Sequence, residues 1–160
     1  MNIRPATSAD HDAVWQIFHE VIAAGDTYVF DPEMPREEAL AYWFHEGTRT
    51  YVAEADGRIV GTYIFRANQP GLGSHVANAS FMVSSAARGL GAGKRMGEHC
   101  LEEARAAGFR AMQFNIVIST NDVAVRLWKK LGFEIVGTVP DAYRHARLGY
   151  VDTHVMYRRL

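Results

Sequence analysis

The stretch Val83-Ser84-Ser85-Ala86-Ala87-Arg88-Gly89-Leu90-Gly91-Ala92-Gly93-Lys94 constrains this chain more than any other part of it. It joins an apolar, strand-like segment over 76–83 to a helix-like segment over 91–107. Its alternate glycines let the backbone turn with N–H groups facing inward, and the helix N-terminus adds a positive partial charge. A loop of this kind holds a phosphate or pyrophosphate without a metal. Arg88 in front and Lys94 or Arg95 behind add charge-assisted contacts.

Two nucleotide loops are excluded by residue type. A Walker loop needs glycine four residues before the second glycine's predecessor and a hydroxyl after the lysine. Here those places hold Arg88 and Arg95. A dinucleotide fingerprint needs glycine at 94 or 96, where the chain has Lys94 and Met96, and an acidic ribose-binding residue after the next strand. The run from Asn115 to Thr120 contains no carboxylate.

Hydrophobic periodicity supplies the rest of the architecture. Residues 2–6 read as a strand, and Thr7 and Asp10 have capping-box spacing ahead of a helix reaching about residue 24. Residues 25–35 form a loop with two exposed aromatics, Tyr28 and Phe30. Pro35 opens a second helix that runs to about Gly47. Strands over 50–55 and 58–66 flank the hairpin turn Asp56-Gly57. After the 76–83 strand and the 91–107 helix come a strand over 111–118, a helix over 121–131, and strands over 133–139 and 150–157. The order βααβββαβαββ predicts an α/β (α+β) fold on a mixed sheet. In it, 76–83 and 111–118 are neighbouring parallel strands joined by a right-handed crossover.

Bulk properties bound the class. A chain of 160 residues is about one domain's worth, so the expectation is a single domain over 1–160. Net charge is −1, which offers no broad basic field for nucleic acid and no polybasic stretch for an anionic membrane. The one cysteine, Cys100, excludes an intrachain disulfide and reads as a small buried hydrophobe. No apolar run approaches the roughly 20 residues of a membrane span, and a cytoplasmic protein is expected. None of the seven histidines share a helix at i, i+4, and no HExxH occurs, so no catalytic metal is expected.

Arg88-x-x-Gly91-x-Gly93 after a strand ending at Val83, with Asn115, Asn121, Ala124, Leu127 and Lys130-Leu131-Gly132-Phe133 downstream, resembles the GNAT N-acetyltransferase superfamily. The resemblance implies acetyl-CoA as cofactor and a sheet split between its two central parallel strands. It implies that backbone groups of Phe81, Met82 and Val83 bind the pantetheine arm as an added strand. The amides from Arg88 through Gly89, Leu90, Gly91, Ala92, Gly93 and Lys94 would cradle the pyrophosphate, and Asn121 would hydrogen-bond the cofactor near its middle. A homodimer is a further expectation. Ile22 to Phe30, with Gly149-Tyr150-Val151-Asp152, is similar to the amino-acid-acetylating branch that includes phosphinothricin acetyltransferases. Where that branch has a glutamate on the central strand, this chain has Asn78.

Acetyl transfer needs a neutral amine, hydrogen bonds to the thioester carbonyl, and a proton for the departing thiolate. Many members of the family carry a tyrosine acid on the cofactor helix, but the matching residue here is Trp128, whose indole cannot serve as an acid. The proton then comes from water, Tyr143 or Tyr150. Candidates for the base are His75, Glu33, His145, or a water held by Asn115 or Asn78. If the family geometry holds, loop 25–35 and segment 140–150 flank the acceptor. They offer Tyr28, Phe30, Tyr143, Tyr150, Asp31, Glu33, Arg144 and Arg147, which suit a small zwitterion such as an amino acid. A protein N-terminus and a polyamine are the other acceptors considered. The alternative function is a non-catalytic acyl-CoA-binding sensor.

Overall fold

The computed structural model describes residues 1–87 and 89–160. Its elements are β1 (Asn2–Pro5), α1 (His11–Ala23), α2 (Arg36–Trp43), β2 (Arg49–Ala55), β3 (Arg58–Ala67), β4 (Val76–Val83), α3 (Ala92–Ala106), β5 (Ala111–Ile118), α4 (Asp122–Lys130), β6 (Glu134–His145) and β7 (Gly149–Arg159). Seven strands form one mixed sheet in the order β1-β2-β3-β4-β5-β7-β6. The pair β4–β5 is parallel and the other pairs are antiparallel.

Strand alternation gives each helix layer its own core. On β3, Tyr63 and Phe65 pack with Met96, Cys100 and Leu101 of α3 and with Trp128 of α4. Ile64 points the other way, to Val14, Phe18 and Ile22 of α1 and Trp43 of α2. Cys100 is fully buried in the first layer, as its spacing predicts. The helix-1 start also follows the expected chemistry: Asp10 accepts the Thr7 N–H at 2.7 Å and takes both Arg4 guanidinium nitrogens at 2.8 and 2.9 Å. At the Asp56-Gly57 turn both residues have positive φ (50° and 71°), the backbone of a primed hairpin turn.

Two boundaries differ from the sequence reading. Helix α2 ends at Trp43 rather than near Gly47. The Thr50 hydroxyl donates to the Trp43 carbonyl at 2.7 Å, and the Thr48 N–H turns back to the His45 carbonyl, so the chain leaves the helix early. Strand β6 continues to His145, although Pro140 signals its end. β6 is an edge strand, and the register shift between Val139 and Tyr143 absorbs Pro140 in a bulge, with Asp141 at φ 51°. That extension carries the chain to the loop after α1, where the Tyr143 hydroxyl donates to the Tyr28 carbonyl and the Ala146 N–H to the Gly25 carbonyl.

Candidate active site

The central pair is joined at one end only. Val76 pairs with Ala111 and Ala77 with Met112, and the strands register no further pairs. Beyond that point β5 carries an irregularity between Phe114 and Val117. The result is a wedge-shaped gap that widens toward Val83 and the glycine loop.

The hydrogen-bond phase of β4 determines what faces this gap. The Asn68 N–H bonds the Val76 carbonyl at 2.8 Å, and the Ser84 N–H bonds the Val60 carbonyl at 3.0 Å. An antiparallel ladder alternates between those ends, so Asn78, Ser80 and Met82 bond β3. Ala79, Phe81 and Val83 therefore turn their N–H and C=O groups into the gap. The Tyr28 hydroxyl meets both groups of Phe81, and an extended chain with amides suits an edge of this kind. The pantetheine arm of acetyl-CoA is such a chain. Of the three residues expected to bind it, Phe81 and Val83 present backbone to the gap, while Met82 is fully buried in the α1–α2 layer.

The loop at the wide end turns on left-handed glycines. Gly89 and Gly91 have φ of 82° and 70°, and Gly91 is the left-handed cap from which α3 starts. Ala92, Gly93 and Lys94 form the first turn of α3, the Lys94 side chain lying 3.5 Å from Glu98; Leu90 is exposed beside them. Gly93 lets α4 approach, since a Cβ there would meet Leu127 Cδ2 at 3.3 Å. Arg88, the leading cation of the motif, lies outside the described residues. Asn121 caps α4 by accepting the Ala124 N–H at 3.1 Å. It lines a cleft of about 540 Å³ at the mouth of the gap, together with Asp26, Arg126, His145 and Arg147.

Trp128 is 8% exposed and sits under the gap among Phe81, Phe114 and Phe133, with ring centroids 4.9, 4.7 and 6.1 Å away. These ring contacts hold the indole where the resemblance places a phenol. Tyr143 is buried and its hydroxyl donates to the Tyr28 carbonyl at 3.1 Å; burial raises its pKa. Tyr150 is exposed. Glu33 is exposed, and its N–H closes a turn on Asp31. His75 lies at the closed end of β4, six residues and roughly 20 Å from Phe81, out of reach of a group held there. His145 is buried at the mouth, its Nδ1 accepting the Arg147 N–H at 3.1 Å.

Four carboxamides line the floor on the α1–α2 side. Asn78 donates to the Gln113 carbonyl, Gln113 to the Asn115 side chain, and Asn115 to the Asn68 side chain, at 2.9, 2.9 and 2.7 Å. Tyr28 and Phe30, read as exposed, are instead half-buried and packed against the α1–α2 core. Phe30 stacks on Tyr28 at 5.7 Å and meets Tyr42 edge-on at 4.9 Å. The Arg66 guanidinium lies 4.8 Å from the Tyr42 ring. Tyr42 and Arg66 were not among the candidates. The signal for Arg66 was its phase: it shares a strand face with Thr62 and Ile64, both buried against the α1–α2 layer.

A split mixed sheet with a glycine cradle at the open end of the gap defines an acyl-CoA-binding transferase fold. The Acetyltransferase (GNAT) family profile matches residues 15–133, and the chain belongs to that family. A GCN5-related N-acetyltransferase from Kribbella flavida is 46% identical, with a TM-score of 0.95 over 99% of this chain and 97% of that one. N-acetyltransferase aca1 of Schizosaccharomyces pombe is 32% identical over 84% of this chain and 72% of its own length. The phosphinothricin N-acetyltransferase of Streptomyces viridochromogenes is 29% identical over 91% and 81%. A putative acetyltransferase from Salmonella typhimurium, solved with its cofactor acetyl-CoA, is 25% identical, with a TM-score of 0.88 over 100% of this chain and 94% of that one. The chain is an N-acetyltransferase and its cofactor is acetyl-CoA. The non-catalytic sensor is not favoured. Among the described residues no helix is long and apolar enough to cross a membrane, and no three His, Cys, Asp or Glu side chains are grouped to hold a metal ion.

Proposed function

We propose that the chain acetylates the primary amine of a small molecule that also carries an anionic group, such as an amino acid or its analogue. The observation that carries this reading is the lining on the α1–α2 side of the gap. Tyr28, Phe30 and Tyr42 lead from Phe81 to Arg66, which pairs with no carboxylate among the described residues and stands across from Asn78. An aromatic wall ending on a half-buried guanidinium and neutral carboxamides suits a carboxylate or phosphinate. Similarity to a phosphinothricin N-acetyltransferase supports the same class.

Acetyl-CoA supplies the activated thioester. The backbone N–H of Phe81 faces the gap where the carbonyl oxygen would gain charge, with Val83 two residues further along the same edge for the pantetheine arm, and both are fixed by the sheet before reaction. Arg66 and the aromatic wall orient the acceptor so that its amine meets β4 near Phe81. No carboxylate lies in the Asn68–Asn78–Gln113–Asn115 cluster; a water held there would relay the ammonium proton to solvent, and as the C–N bond forms and the C–S bond breaks, the proton shed by the nitrogen would pass through water to the thiolate. In this reading the chain acts as one domain in the cytoplasm. A homodimer would show as a doubled mass in sedimentation.

Thiol release from acetyl-CoA over an amine panel tests the acceptor class. Amino acids should exceed their decarboxylated amines in kcat/KM by at least tenfold, and Arg66→Met should erase most of that ratio. A preference for polyamines or peptide N-termini would overturn the reading.

A further inference from the structure

The Tyr28 hydroxyl already occupies the backbone groups that the cofactor site reserves. It donates to the Phe81 carbonyl at 2.7 Å and accepts the Phe81 N–H at 2.9 Å. One side chain thus closes both hydrogen-bonding groups of a residue that has no strand partner on that side. The contact spans 53 residues of sequence and is not a local accident of the loop. The loop is itself tied to the far side of the gap. Tyr143 donates to the Tyr28 carbonyl, and the Ala146 N–H bonds the Gly25 carbonyl at 3.0 Å. Tyr28 therefore bridges the two walls of the gap through its own backbone and side chain.

We propose that Tyr28 is a positioning residue that stands in for the thioester on the Phe81 edge, and that acetyl-CoA displaces its hydroxyl before the acceptor can be seated. The Phe81 N–H cannot be fully given to both oxygens, because a backbone N–H is a single donor. When the thioester takes it, the phenol swings off the strand edge. On Phe81 the phenol stands at the junction of the gap and the aromatic wall, where an amine must approach, and its departure clears that junction. Acetyl-CoA binding thereby opens the acceptor route. Coenzyme A lacks the acetyl carbonyl and leaves Tyr28 in place, which separates product from substrate at this contact. The inference rests on the assignment of Phe81 to the cofactor given above.

Tyr28→Phe keeps the ring packing and removes only the competing hydroxyl. Calorimetric titration of that variant should show acetyl-CoA bound on the order of tenfold more tightly than by the wild type, with coenzyme A unchanged. Amide hydrogen exchange supplies a readout independent of the variant's folding. In the wild type the Phe81 amide should be protected with and without acetyl-CoA; in Tyr28→Phe it should exchange fast until acetyl-CoA is added. Unchanged or weaker acetyl-CoA binding, with Phe81 protected in the free variant, would overturn the exchange while leaving the cofactor site intact. A wild-type Phe81 amide resonance that fails to respond to acetyl-CoA would overturn the site assignment and the exchange together.

Discussion

Replacing Gly91 by alanine isolates the backbone conformation of the cradle from everything else. Gly91 has φ 70° and caps α3, and a Cβ built there meets no atom within 4 Å. Packing therefore contributes nothing to the cost. What remains is the left-handed conformation, roughly 1–2 kcal/mol for a residue with a Cβ. That cost appears in one of two places. If the free loop keeps its shape, stability drops and Tm falls by roughly 2–8 °C, with acetyl-CoA affinity unchanged. If the free loop relaxes, Tm holds and the cofactor must restore the shape, weakening its Kd by about 5- to 30-fold. Thermal melts and calorimetric titration with acetyl-CoA, run on one sample, measure both. Asparagine tolerates the left-handed region, so Gly91→Asn should recover much of the loss. A Gly91→Ala variant that matches the wild type in both Tm and Kd would refute the reasoning, as would an asparagine variant no better than the alanine one.

Three further outcomes follow from the packing. Thr62→Val strands the buried Trp43 indole N–H and the Tyr51 carbonyl that its hydroxyl now serves at 2.9 and 2.8 Å; it should cost about 1–3 kcal/mol in urea unfolding. Arg4 holds the Asp10 carboxyl well below the usual carboxylate range, so the unfolded chain binds this proton first; the stabilisation is full above about pH 4 and drains as pH falls below it, and Asp10→Ala should lower stability at pH 7 by about 1–2 kcal/mol while flattening that acid limb. Trp128→Tyr should lose about 1–3 kcal/mol of stability from its three-ring nest without raising kcat; a large gain in turnover would show that a missing acid, not packing, governs this position.

What the sequence made legible is what local chemistry encodes. The glycines at 89 and 91 announce their own backbone, and the apolar runs at 76–83 and 111–118 are long enough to read as buried strands. The end of β6 was hidden because Pro140 is a strand breaker unless an edge and a bulge accommodate it, and neither is visible in a linear pattern. The acceptor side was hardest to read. Tyr28 looks like an exposed loop aromatic, and only the fold shows its hydroxyl on Phe81. His75 lies next to the central strand in sequence but at its closed end in space. Adjacency along a strand gives distance and phase, while the position of the split is set by which residues of β5 fail to pair.

The site assignment meets its most direct test in a crystal structure of the chain with acetyl-CoA. The account predicts the thioester oxygen about 2.9 Å from the Phe81 nitrogen, the pantetheine amides paired with Val83, and the Tyr28 hydroxyl off the strand edge. Cofactor bound with the gap-facing groups of β4 untouched, and Tyr28 still on Phe81, would contradict it.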